Sequence, residues 1–292
     1  MKLKIQLFLL LFLSSLNGIA QISYSGFIGK QPITFVSFNY SDDDTRAFYV
    51  YNTFDSPIKI NGKLNHKNLE LFERNLKGEI TASLIFTNYN ENDIKLNGIW
   101  KCKNETKSYK IVLKKDFEIE KGDAVFWEKP KELLQINSTE KYYFKTVINK
   151  EVGHYYARVS AVKVFEKITD KLFQTIKLDC ELLDFNNVTV DDYNFDGLAD
   201  FSVFESFYAG PNTSSIYILK KPGEDYFISD IKGVSLEFDK ELKLIYEHNQ
   251  SRAGYSHSNS TYKLVDNKMI LIKEKCIEFD KEKDDFIDVK CN

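Results

Sequence analysis

Apolar and polar residues alternate in short runs through most of this chain, and turn residues break the runs about every eight to twelve positions. That is the pattern of half-buried strands. In the first part the runs fall at 33–38, 47–51, 58–60, 69–73, 79–86, 97–100 and 108–113. They predict an antiparallel meander of about seven or eight strands over 21–115, closed as a barrel or stacked as a sandwich. Periodicity blurs between 116 and 140, where Lys129-Pro130-Lys131 interrupts it and Glu132-Leu133-Leu134-Gln135 reads as a short helical turn. This stretch is the expected linker. Strands resume at 141–148, 155–165, 173–178, 188–190, 201–204, 215–219, 226–228, 234–238, 242–247, 260–265 and 269–273. With helical periodicity nearly absent, the 141–292 segment is a second antiparallel β domain and the fold class is all-β.

Composition agrees with this picture. Seventeen Tyr and 23 Phe against five Pro suit half-buried strands rather than disorder. Residues 1–20 read as a secretory signal, with Lys2 and Lys4 before an apolar run and Gly18-Ile19-Ala20 at the cleavage position. The run is shorter than the roughly 20 apolar residues of a membrane span, so the mature protein is expected to be periplasmic or secreted. Without Lys2 and Lys4 the formal net charge moves from −3 to about −5, which argues against a nucleic-acid partner.

One stretch carries specific chemistry. Asp192-Tyr193-Asn194-Phe195-Asp196-Gly197-Leu198-Ala199-Asp200 places oxygen side chains at positions 1, 3, 5 and 9 of a turn with glycine at position 6. This is the spacing of a Ca²⁺ loop. Asp192, Asn194 and Asp196 can converge, Gly197 permits a positive φ, the carbonyl of Leu198 can turn inward, and Asp200 closes the site directly or through water. An oxygen-only donor set favours calcium over zinc or copper. Position 12 is Val203 rather than the glutamate of an EF-hand, so the shorter integrin-like or dockerin-like form is expected.

The remaining constellations are weaker. Asp42-Asp43-Asp44 reads as a solvated hairpin tip. Four histidines, His66, His154, His248 and His257, are too few and too scattered for a metal cluster, and no nucleophile or phosphate-loop motif occurs. The chain is therefore read as a non-enzyme. The 249–259 segment, long for a hairpin, mixes Arg252, Tyr255 and His257 with small residues, as a protruding recognition loop does. A second candidate is 207–214, whose Gly210-Pro211-Asn212 reads first as a turn. Of four cysteines, Cys276 and Cys291 flank a predicted hairpin and are the expected disulfide, worth roughly 3 kcal/mol by loop closure. Cys102 and Cys180 either join the two domains or stay as buried thiols.

Phe173-Gln174-Thr175-Ile176, the acidic turn, Tyr208-Ala209-Gly210, Tyr217 and the 251–262 segment together resemble a family of exported bacterial immunity proteins. Members inhibit peptidoglycan hydrolases delivered by type IV secretion systems. The resemblance covers about residues 140–275. It implies a calcium-binding, β-propeller-like domain akin to periplasmic inhibitors of invertebrate-type lysozyme, with a peptidoglycan hydrolase as partner. In such inhibitors a tyrosine on a protruding loop plugs the substrate cleft, and Tyr255 is the match. The alternative is a periplasmic or surface module that binds glycan or protein without inhibition.

Overall fold

The computed structural model describes residues 21–41, 44–52, 56–183 and 186–291. Residues 1–20, the expected secretory signal, and Asp42-Asp43 lie outside them. The chain divides into two compact units, the first ending at Glu120 and the second comprising 53–57 and everything from Lys121.

The first unit is a closed antiparallel barrel of eight strands: β1 (Gln21–Ile28), β2 (Gln31–Ser41), β3 (Asp44–Tyr51), β4 (Ile58–Asn65), β5 (Asn68–Arg74), β6 (Ile80–Phe86), β7 (Lys95–Cys102) and β8 (Ser108–Ile119). Neighbours in sequence pair throughout, and closure comes from β1 on β8, with Gln21 opposite Ile119. Alternate residues point inward and fill the interior, among them Ile22, Phe35, Tyr49, Leu71, Leu84 and Ile111. One carboxylate is tolerated within reach of this core because one of its oxygens is engaged twice. Glu73 Oε1 accepts hydrogen bonds from Tyr49 (2.6 Å) and Trp100 Nε1 (2.6 Å).

The second unit is three meanders in chain order. The first has β9 (Lys131–Ser138), β10 (Tyr142–Asn149), β11 (Arg158–Glu166) and β12 (Leu172–Glu181). Next come β13 (Val188–Asp191), β14 (Asp200–Phe207), β15 (Thr213–Lys220) and β16 (Tyr226–Ile228). The last has β17 (Leu236–Asp239), β18 (Leu244–Ser251), β19 (Ser256–Val265), β20 (Lys268–Asp280) and β21 (Asp285–Val289). Each packs on the next through aromatic rings: Phe144 against Phe201 (4.7 Å), then Tyr193 and Tyr217 against Phe238 (4.9 and 5.0 Å). Consecutive four- and five-stranded meanders packed in this way are blade-like. Three are fewer than the four with which closed propeller rings begin.

Two expectations are corrected. Residues 132–135 are not a helical turn but the middle of β9, and the expected linker contains both that strand and the end of β8. No helix among the described residues is long and apolar enough to cross a membrane.

Candidate metal-binding turn and recognition hairpin

The acidic turn connects β13 to β14, and its base is buried and hydrogen-bonded. Tyr193 is buried between Tyr217 and Phe238, and its hydroxyl lies 2.8 Å from Ser202 Oγ. Asp200, fully buried at the start of β14, accepts the N–H of Tyr193 on Oδ2 (3.0 Å) and that of Lys220 on Oδ1 (2.7 Å). Burial first, and the nearby charges of Asp196 and Asp192 after it, push this carboxyl up to about 6 despite the two amides that favour its charged form.

Above this base the turn curls on its own amides. Asp192 accepts from Asp196 N (3.1 Å) and Gly197 N (2.9 Å), and Asp196 Oδ1 accepts from Leu198 N (2.8 Å). Gly197 takes φ +86° and Phe195 +64°, the left-handed conformations that let the chain reverse so tightly. The last sheet braces the turn from outside: Asn194 Nδ2 donates to Asn267 Oδ1 (3.2 Å), Lys243 Nζ to the Phe195 carbonyl (3.3 Å), and Lys240 pairs with Asp191.

The oxygen-only donors, the glycine conformation and the Asp192–Gly197 hydrogen bond fit a hard divalent cation held by Asp192, Asn194, Asp196 and the Leu198 carbonyl. Oxygens of Asp192, Asp196 and Asp200 do not all lie within 4.8 Å of one another. Asp200 accepts one strand amide on each oxygen, as Asp192 accepts one turn amide on each of its own, so it fits the ninth position directly or through a water. Among the described residues the one group of three or more such ligands within 4.8 Å is Glu274, Cys276 and Cys291. Its two sulfurs form the expected disulfide, which leaves no thiolate to ligate. Cys102 and Cys180 are free thiols, and burial pushes Cys180 up to about 12.

The 249–259 segment is not a long loop. β18 and β19 run through most of it, and a single 3-10 turn, Arg252–Gly254, makes a tight hairpin tip. Arg252, Ala253 and Gly254 all have positive φ (+51°, +54°, +90°), an unusual conformation for the first two. Arg252 pairs with Glu278 (3.0 Å). Tyr255 is half-exposed, its ring packs at a tilt against Phe279 (5.4 Å), and its carbonyl accepts the Phe279 N–H (2.8 Å). The second candidate, 207–214, is tied down by buried Asn212, which donates to Asn249 Oδ1 (3.0 Å) and the Gln250 carbonyl (2.7 Å).

Sequence reasoning missed several members of this surface. Phe279 and Phe286 form a row with Tyr255 and His257, and His248, set aside as scattered, comes to the side of His257. The signal was the hairpin register, which sets His248 opposite Asn259 and Gln250 opposite His257. No family model, curated protein or solved structure matches the chain.

Proposed function

We propose that this chain is an exported, non-catalytic, calcium-binding protein that binds and inhibits a lysozyme-like cell-wall hydrolase. The observation that carries the reading is the 252–255 hairpin tip. Three successive left-handed residues hold a half-exposed tyrosine at the β18–β19 turn, at one end of the five-stranded sheet and beside a guanidinium and an imidazole. Backbone strain of this kind costs of order 1–3 kcal/mol per residue and persists where the surroundings impose it, commonly at recognition sites. Tyr255 is a rigid amphipathic anchor suited to the sugar-binding floor of a hydrolase cleft. Arg252 would exchange Glu278 for an acidic group of that cleft. Calcium in the 192–200 turn would stiffen the junction of the last two sheets, because Asn267 and Lys243 brace that turn from the sheet that carries the tip.

The test is a lysis assay with the mature protein against a panel of lysozyme-like hydrolases in millimolar calcium. Suppression of at least one enzyme is expected, weakened tenfold or more by Tyr255→Ala. Undiminished lysis across the panel would sink the reading.

A second reading is favoured by one observation elsewhere in the unit. Tyr155 and Tyr156 are both half-exposed, pack edge to face (4.9 Å), and Lys121 lies over the Tyr156 ring (5.5 Å). Such a platform suits stacking on a sugar ring. Glycan retention that Tyr156→Ala removes, with lysis untouched, would establish this binding role instead.

A further inference from the structure

We infer that His248 and His257 form a two-histidine site for a zinc- or copper-class divalent ion on the outer face of the last sheet. The register of β18 and β19 places the two rings diagonally on one face, centroids 5.3 Å apart and planes inclined by 32°. Hydrogen bonds then fix which nitrogen of each ring carries its proton. His248 Nδ1 lies 2.7 Å from Asn259 Oδ1, an acceptor, so Nδ1 is protonated and Nε2 keeps its lone pair. His257 Nε2 lies 2.9 Å from the Gly254 carbonyl, which can only accept, so its Nδ1 is the bare nitrogen.

The two bare nitrogens face each other at 3.4 Å. Lone pairs so placed repel unless a positive centre sits between them. A shared proton would make this a long hydrogen bond, weaker than one at the usual 2.9 Å. A tetrahedral ion at 2.0–2.1 Å from each nitrogen instead spaces them at about 3.3–3.4 Å, which is the spacing found. The outer contacts match what metal-bound imidazoles need: each ring donates its second N–H to an oxygen that fixes tautomer and orientation. The Phe286 ring stands edge-on to His257 (5.3 Å) and shields one side.

Two imidazole nitrogens select zinc, copper or nickel over calcium, so this site is chemically separate from the acidic turn and does not depend on the proposed inhibition. With two protein ligands, the remaining coordination positions are open to water or to a donor atom of a bound molecule. The site lies two residues from Tyr255, on the hairpin that carries the tip.

The experiment uses the mature chain, disulfide intact, in excess calcium to occupy oxygen donors, titrated with Cu²⁺ alone and followed by electron paramagnetic resonance. One equivalent with splitting from two nitrogens is expected. His248→Ala and His257→Ala should each weaken binding at least tenfold and leave one nitrogen in the spectrum. Asn259→Ala, which removes only an orienting contact, should weaken it about 10-fold while keeping both. As a readout independent of any variant, Zn²⁺ should shift the NMR resonances of His248 Nε2 and His257 Nδ1 and leave the other two ring nitrogens protonated. Unchanged copper affinity in both histidine variants, or ring nitrogens that ignore zinc, would overturn the site.

Discussion

Gln135 is the side chain whose loss should cost the second unit most for the smallest change in shape. It is fully buried in β9, and its Oε1 accepts two backbone N–H groups across the sheet boundary, from Asn187 (2.9 Å) and Val188 (3.2 Å). Its Nε2 donates to Thr146 Oγ1 (3.0 Å) and the Leu133 carbonyl (3.3 Å). Gln135→Met keeps the volume and removes the acceptor. Asn187 and Val188 are themselves buried, so water cannot replace it. Each stranded donor costs about 1–3 kcal/mol, which gives about 2–6 kcal/mol for the pair. Thr146→Val is a built-in control: it removes one acceptor of Gln135 Nε2, which keeps the Leu133 carbonyl (3.3 Å), so it should cost less than about 1.5 kcal/mol. Urea unfolding followed by circular dichroism measures both, with the slope of the transition unchanged. Hydrogen exchange at Asn187 and Val188 should accelerate in Gln135→Met. A loss below about 1 kcal/mol, or equal losses for the two variants, would refute the reasoning.

Four further outcomes are expected. Calcium should raise the melting temperature and EGTA reverse it, and Asp196→Ala should abolish the response; coincident curves with and without EGTA would count against the metal. In EGTA, the Asp200 carboxyl at about 6, against an ordinary 3.8, means the folded state keeps a proton that the unfolded chain releases. Its contribution is therefore full below about pH 4 and is lost as pH rises through about 6, a change of about 3 kcal/mol that Asp200→Ala should remove from the pH–stability profile. Gly62→Ala should destabilise the barrel by at least about 3 kcal/mol in thermal or chemical unfolding, because a Cβ there would lie 1.8 Å from the Glu70 carbonyl on the paired strand. Reducing the Cys276–Cys291 bond should cost up to about 3 kcal/mol, read as faster amide exchange along β21 first.

The barrel was legible because its strands point alternate residues into a single core, clearly in β5, β6 and β7, although β1, β2 and β3 also bury residues of their other face. β9 was not, for a reason that its own residues display. Leu133, Leu134 and Gln135 are all buried in succession, and the register with β10 shifts between Tyr143 and Lys145, so alternation is lost where the strand meets a second sheet. In the acidic turn the spacing marked the oxygen donors, yet nothing in it revealed that Asp200 is held by the amides of Tyr193 and Lys220. The Lys220 contact spans twenty residues and exists only once β15 has paired with β14. The histidine pair was hidden by the tip itself. Arg252 and Ala253 are not residues that announce left-handed backbone, and without that turn the register joining His248 to His257 cannot be placed.

The pairing of β1 with β8 has a consequence for how the first unit can be handled. Its chain enters at Gln21 and leaves at Ile119, and these two residues are cross-strand partners, about 5 Å apart at Cα. A short linker between them would allow the chain to be reopened at a hairpin elsewhere, such as the Asn75–Glu79 turn, without breaking a single ladder. The unit is thus a topological circle cut at an arbitrary point. Permuted versions should reach the same barrel, and a foreign segment spliced between residues 75 and 79 would emerge from a rigid, edge-free scaffold.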